Sequence, residues 1–166
     1  GHDLSAFYGY QVTGLFQSPD EVDNAPRQDG AEQGFLRFAN IDTGSIVYLG
    51  SRIQYINPAD RTFIGDPNPD FTYGINLGIS WKNFDLSFFI NGSQGNNIFN
   101  YNRWFTDFWP SYQGQKSKAL FYNSWTAWSA TNSMAKTPKA SNKSNFSTNT
   151  QVTSYYIEDG SYMRLK

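Results

Sequence analysis

The feature that most constrains the fold is an alternation of apolar and polar residues from Phe71 to Trp81. Every odd position is apolar or aromatic, and every even position is Gly, Asn, Thr or Ser. Because successive side chains of a β-strand point to opposite faces, this pattern predicts a strand with one apolar face. The alternation resumes after Lys82 and Asn83 and continues to Asn91, with Phe89 as the exception. Two strands separated by two such residues predict a tight hairpin.

The length of these strands favours a membrane setting. An ordinary strand has about 5 to 6 residues, whereas about 9 to 11 are needed for a tilted strand that crosses a bilayer. A soluble carbohydrate-binding β module would show the same alternation, and it stays open as the alternative. In a barrel the small polar face would line the lumen, and the apolar face would contact lipid through Tyr73, Ile75, Leu77, Ile79, Leu86, Phe88 and Ile90.

Composition excludes several classes of function. The 166 residues include 13 Lys and Arg against 14 Asp and Glu, and the pI is near 5.7. The chain therefore lacks the excess of basic residues that is typical of nucleic-acid-binding proteins. The chain has no cysteine, and His2 is its only histidine, which argues against zinc fingers and histidine-based triads. No transmembrane helix and no signal peptide are predicted, because no long apolar run is present. Thirty aromatic residues with a mean hydropathy of −0.59 favour an all-β chain.

The segments before the hairpin give weaker patterns. Residues 7–16 predict a strand, but more weakly than residues 71–81 do, and any helix after them is expected to be short. Ser18 and Glu21 then have the spacing of a helix N-cap and its capping-box partner. From Asp23 to Asp70 frequent Gly, Pro and Asn predict loops, which end in a rigid, proline-containing entry to the strand at Phe71.

A long connection follows the hairpin, from Ile98 to about Thr153. Its second part, residues 131–154, holds 5 Ser, 5 Thr and 4 Asn with three Lys and no acid, so it is predicted to be irregular or mobile. Its lysines are expected to solvate the loop, with contact to lipopolysaccharide or ligand as the alternative. After it, Asp159 and Gly160 predict a turn into a final strand that stops at Lys166, as in a fragment.

Aromatic residues of this connection are the candidate contact residues. Three roles stay open: packing or a girdle at the outer membrane interface, stacking on a sugar or contacting a peptide, and docking of a partner protein. The candidates are Trp104, Phe105, Phe108, Trp109, Tyr112, Trp125 and Trp128. No catalytic residues are predicted, because no opposed pair of carboxylates can be named and Glu158 and Asp159 are neighbours on an extended chain.

Five blocks of the sequence, taken in order, carry a family resemblance: Gly1–Tyr10, Asp60–Gly74, Phe84–Gly92, Gly95–Asn100 and Ile157–Lys166. Together they resemble the C-terminal part of the SusC/RagA-type TonB-linked outer membrane proteins of the Bacteroidetes. The resemblance implies that residues 1–166 belong to a barrel of about 22 strands, with no plug domain in this stretch. It also implies oligosaccharide or peptide import driven by TonB, with a SusD-like surface lipoprotein as partner. Lys82 and Asn83 would then form a periplasmic turn, and residues 17–66 and 101–156 would lie outside the cell.

One departure from the family concerns metal binding. Members often carry an acidic turn of the form D-x-N-G-D-G-x-I that looks like a calcium loop. The corresponding residues here are Asn40–Ile46, in which Asp42 is the sole carboxylate. Calcium takes about 6 to 8 oxygen ligands. Asn40, Asp42, Ser45 and a distant Asp60 therefore make a poor site, and neither a metal nor a cofactor is predicted.

Overall fold

The computed structural model describes residues 3–42, 45–48 and 51–166. His2, and Thr43 and Gly44 of the candidate calcium turn, lie outside the described residues. The helices are α1 (Pro19–Asn24), α2 (Asn102–Thr106) and α3 (Lys118–Tyr122). The strands are β1 (Phe7–Tyr10), β2 (Val12–Leu15), β3 (Leu36–Phe38), β4 (Ser45–Tyr48), β5 (Ser51–Gln54), β6 (Arg61–Gly65), β7 (Phe71–Trp81), β8 (Phe84–Gln94), β9 (Asn97–Phe99), β10 (Ile157–Asp159) and β11 (Tyr162–Leu165).

Strands dominate this secondary structure, and the ladders β2–β3, β4–β5, β7–β8, β8–β11 and β9–β10 are antiparallel. This arrangement confirms the predicted all-β class of antiparallel strands. Within the described residues, no helix has the length and apolar character needed to span a membrane.

The predicted hairpin forms the longest ladder among the described residues. β7 and β8 pair without interruption from Phe71 opposite Gln94 to Trp81 opposite Phe84, so β8 runs three residues beyond the predicted alternation, which ended at Asn91. Lys82 at the turn has φ of 56°, the left-handed conformation that such a two-residue connection requires. β11 adds to the free edge of β8, which gives a sheet in the order β11-β8-β7.

Two glycines of this sheet accommodate aromatic rings. Gly92 lies opposite Tyr73 in the register, and a Cβ on Gly92 would collide with the Tyr73 ring and lie 2.6 Å from the carbonyl oxygen of Tyr162. Phe89, the exception to the alternation, lies on the polar face, and its ring is 3.6 Å from where a Cβ of Gly74 would be. Gly78 on that face has open space around it.

The chain divides into two compact units. The hairpin unit contains residues up to Phe7, residues 65–99 and residues 157–166. The second unit contains residues 8–64 and 100–156. The core of the second unit includes Tyr10 stacked on Phe38, with ring centroids 5.2 Å apart.

Upstream of the hairpin, the predictions were partly right. Ser18 caps α1 by accepting a hydrogen bond from the Glu21 amide at 3.1 Å, as predicted. The Glu21 carboxylate accepts from the Gln17 amide at 2.9 Å and not from the Ser18 amide of a capping box. The prediction of loops from Asp23 to Asp70 was wrong in part, because β3, β4, β5 and β6 form within this range.

Residues 131–154 are irregular, as predicted. The expectation that this segment contributes nothing to a core was wrong, because Ser147, Thr148 and Asn149 are buried. The Gln28 side chain explains how polar residues are tolerated there, because its amide nitrogen donates to Ser147 Oγ at 2.8 Å and to the Leu36 carbonyl at 2.7 Å. Buried polar groups that are hydrogen-bonded carry little desolvation penalty.

The close contact between Gly92 and the Tyr73 ring gives a testable prediction. Gly92→Ala should destabilise the fold by about 1 to 3 kcal/mol, because the added methyl group overpacks against a ring and a backbone carbonyl. Gly78→Ala is the matched control and should have little effect, since a Cβ there meets open space. The measurement is the thermal midpoint of unfolding of the intact receptor. Unfolding is monitored by the change in migration that heating causes in gel electrophoresis. Equal midpoints for the two variants would contradict this packing.

Candidate functional site

Several of the candidate aromatic residues lie at or near α2 in the second unit. Tyr101 precedes the helix, and Trp104 and Phe105 follow at spacings of three and four residues, which places them on one side of it. The Tyr101 and Trp104 rings stack 5.5 Å apart at 11°. Phe105 meets Trp104 edge-on at 4.8 Å and Tyr112 edge-on at 6.3 Å. These four rings, two on the five-residue helix and two beside it, form one continuous group.

The predicted contact residues differ in how much of each side chain is exposed to solvent. Phe105, Trp109 and Tyr112 are exposed, at 37%, 46% and 57%, and Tyr101 beside them is 51% exposed. We call these four residues the aromatic face. Trp128 is 97% exposed on a different stretch of the chain.

The remaining three candidates are largely covered. Phe108 and Trp125 are buried, at 4% and 3% exposure, so both rings pack inside the second unit. Phe108 packs edge-on against Tyr155 at 5.5 Å. Trp104 is half-buried, and its indole N–H donates to the Asn149 carbonyl at 2.9 Å.

Lys116 fixes the loop that carries the aromatic face. Its ammonium donates to the carbonyl oxygens of Phe105 at 2.8 Å, of Phe108 at 2.9 Å and of Tyr112. The same ammonium lies 5.6 Å from the centroid of the Trp109 ring, within cation–π range. One cation therefore ties together the backbone on both sides of Trp109.

A second anchor lies beneath this loop, at Asp107. Its Oδ2 accepts from Arg103 Nε at 3.0 Å and from the Tyr155 hydroxyl at 2.7 Å, and its Oδ1 accepts from Ser117 Oγ at 2.6 Å. Burial by itself raises the pKa of the Asp107 carboxyl, but these hydrogen bonds and the Arg103 charge outweigh it and hold the pKa below its usual value. Burial raises the pKa of the Tyr155 phenol, which stays a neutral donor.

Sequence reasoning missed these anchoring residues. The spacing of Arg103 and Asp107, four apart on a helical turn, was the one available indication of an ion pair. Nothing in the sequence indicated that Lys116 or Asn149 supports the aromatic residues, since those contacts depend on the folded loop.

The predicted lipid-facing residues lie together on one face of the hairpin. Across the ladder, Ile75 pairs with Ile90, Leu77 with Phe88, and Ile79 with Leu86. Ile75, Leu77, Ile79 and Leu86 are between 48% and 59% exposed, whereas Tyr73, Phe88 and Ile90 are half-buried. The hairpin unit thus presents a continuous apolar strip.

The described part of the candidate calcium turn is held by a carboxylate. Asp60 is fully buried, and its side chain accepts from the amides of Ile41 at 2.5 Å, Asp42 at 3.1 Å and Asn57 at 2.8 Å. Asp42 in turn accepts from the Asn57 side chain at 3.0 Å. Among the described residues no three carboxylate or imidazole side chains form a metal-binding group.

Comparison with known proteins gives two relatives of this strand-rich chain, and no protein-family model matches it. It is 34% identical to TonB-dependent receptor P3 and 29% identical to TonB-dependent receptor P26, both of Formosa agariphila. Each similarity covers 100% of this chain and 15% of the receptor, so the chain spans about a seventh of the length of these curated relatives.

The antiparallel strands and the exposed apolar strip of the hairpin define the chain as an all-β segment. The similarity over the whole chain supports one family in particular, the TonB-dependent receptors. It confirms the predicted outer-membrane location and the prediction that the chain is not an enzyme.

The Asp107 network gives a prediction with a defined pH dependence. Asp107→Asn should lower the local stability of residues 103–117 by about 2 kcal/mol at pH 7, because it removes hydrogen bonds to a charged acceptor. The pKa of Asp107 is lowered in the folded state, so its stabilisation is complete above the ordinary value of 3.8 and is lost as the pH falls through the lowered pKa. The difference between wild type and variant should therefore shrink below about pH 4.

Local hydrogen exchange of the intact receptor measures this difference. Asp20→Asn, at an exposed carboxylate in the first turn of α1, serves as the control and should leave exchange in residues 103–117 unchanged. A wild-type advantage over Asp107→Asn that grows as the pH falls would contradict the assigned direction.

Proposed function

We propose that this chain forms wall strands and extracellular loops of a TonB-dependent outer-membrane importer. The observation that carries the proposal is the apolar strip on an eleven-residue hairpin, in a chain similar throughout to TonB-dependent receptors. Strands of this length suit a tilted crossing of the bilayer. The soluble carbohydrate-binding module is disfavoured, because the curated relatives are receptors.

The finer proposal is membership of the SusC/RagA type, with TonB as the energy-coupling partner and a SusD-like lipoprotein at the surface. It rests on the five ordered sequence blocks. The two segments proposed to be extracellular, residues 17–66 and 101–156, supply nearly all of the second unit, which supports a shared location. The Lys82–Asn83 turn would then be periplasmic, and residues 1–166 would belong to the C-terminal barrel.

The apolar strip would face outer-membrane lipid, and the opposite face would line the lumen. Gly74, Asn76, Gly78 and Ser80 alternate with the strip along β7, so the two faces differ in size and polarity. Small residues on the inner side would leave room for a plug.

The aromatic face would contact the imported oligosaccharide or peptide. Flat rings match the apolar faces of pyranose sugars, and Tyr and Trp combine an apolar body with a polar group. The Lys116 and Asp107 anchors hold these rings in place before a ligand arrives, which lowers the entropic cost of binding.

Charge placement on the two faces of β7 tests the membrane orientation. Leu77→Lys should destabilise the intact receptor by about 2 to 4 kcal/mol, because it brings a cation into hydrocarbon. Asn76→Lys, one residue away on the opposite face, is the matched control and should fold nearly normally. Folding of the purified receptor in lipid vesicles against urea measures both. If the two variants lost equal stability, the proposed orientation would be wrong.

Paired tryptophan substitutions test the aromatic face. Trp109→Ala should weaken binding of the imported oligosaccharide or peptide by about 1 kcal/mol, the contribution of a typical aromatic contact. Trp128→Ala removes an equally large and more exposed ring outside the face and should leave affinity unchanged. Calorimetric titration of the intact receptor provides the affinities, and its heat-modifiable migration reports assembly. Loss of assembly in Trp109→Ala would instead assign Trp109 to packing or to the membrane girdle.

A further inference from the structure

A second concave surface lies in the second unit, apart from the four residues of the aromatic face. It is an open cleft of about 690 Å³ between α3 and residues 123–137, a volume within the usual range for ligand sites. Phe121 and Tyr122 form one wall, with ring centroids 4.9 Å apart at 86°, and they are 81% and 75% exposed.

The other walls are rich in hydroxyl and amide groups. Ser124, Thr126 and Asn123 are examples, and each can donate or accept hydrogen bonds. Ser129 and Thr131 lie at the same cleft with their hydroxyls 2.8 Å apart. Exposed rings beside many hydroxyls and amides are the chemistry that suits a sugar, whose rings have both apolar faces and hydroxyl edges.

The charges at the cleft are positive. Arg103 and Lys136 line it, and among its described lining residues no side chain carries a carboxylate. Asp107, which pairs with Arg103, is 3% exposed, whereas the Arg103 side chain is 24% exposed. A ligand in the cleft therefore meets Arg103 more readily than its counter-ion Asp107.

The surrounding sequence reinforces this charge. Residues 101–156 contain six Lys and Arg and one acidic residue, although the whole chain has a net charge of −1. Two of the six cations are engaged elsewhere: Lys116 with backbone carbonyls and Lys143 with Glu32. Lys136 is exposed and lies at the cleft, so it is the cation best placed to meet a ligand.

We propose that this cleft binds an acidic saccharide, with Lys136 as the cation that meets its carboxylate or sulfate group. The inference rests on the proposed function as an importer and narrows its substrate class to anionic glycans. Charge-assisted hydrogen bonds are about twice as strong as neutral ones, so one cation confers a clear preference for the acidic form.

Matched pairs of probes test the preference in the intact receptor. One pair is trigalacturonate and its methyl ester, and the other is a sulfated carrageenan oligosaccharide and its desulfated form. The acidic member should bind about tenfold more tightly in at least one pair, and which pair responds distinguishes carboxylate from sulfate. Raising NaCl from about 50 to about 300 mM should weaken binding of the acidic member alone.

Variants assign the preference to the cleft. Lys136→Gln should remove most of the tenfold preference, and Lys136→Arg should restore it. Lys118→Gln is the control, because Lys118 is an exposed cation of α3 that does not line the cleft. A preference that survives in Lys136→Gln, or no preference in either pair, overturns the inference. If neutral probes still bind through Trp109 in that case, the proposed import function stands without it.

Discussion

The register between β7 and β8 is the constraint on which the account of this chain depends. Side chains alternate with a period of two, so a slip of one residue would move every apolar side chain of one strand to the other face. The fit of the Tyr73 ring over Gly92 holds the register, because no larger residue is accommodated at that crossing. The apolar strip, and with it the proposed contact with lipid, follows from this alignment.

The second unit contains a long segment that is poor in aliphatic residues. Buried polar side chains that hydrogen-bond within the unit hold this segment in place, as the bond from Gln28 to Ser147 shows. The same segment contains Asn149, whose backbone carbonyl accepts a hydrogen bond from the Trp104 indole N–H. A polar interior therefore supports the aromatic face, and this rigidity would favour ligand capture because less entropy is lost on binding.

Local patterns could be predicted from the sequence, and long-range ones could not. The hairpin, the Ser18 cap and the Asp159 turn each depend on residues a few positions apart, and the Asp159 side chain does accept from the Ser161 amide at 2.8 Å. The burial of Ser147 depends on Gln28, which is far away in the chain. Local composition does not show this contact, and for that reason the segment was predicted to be irregular or mobile. Likewise, no pattern could distinguish buried Phe108 from exposed Trp109, because only the folded loop separates them.

The most direct test of the central claim is the environment of two neighbouring side chains in β7. A single spin label is placed at Ile79 or at Gly78 of the intact receptor in lipid vesicles, and its collisions with oxygen and with a water-soluble nickel complex are measured. The account predicts that the label at Ile79 meets oxygen more than nickel and that the label at Gly78 shows a lower ratio. Equal ratios at both positions, as in a strand bathed in water, would contradict it.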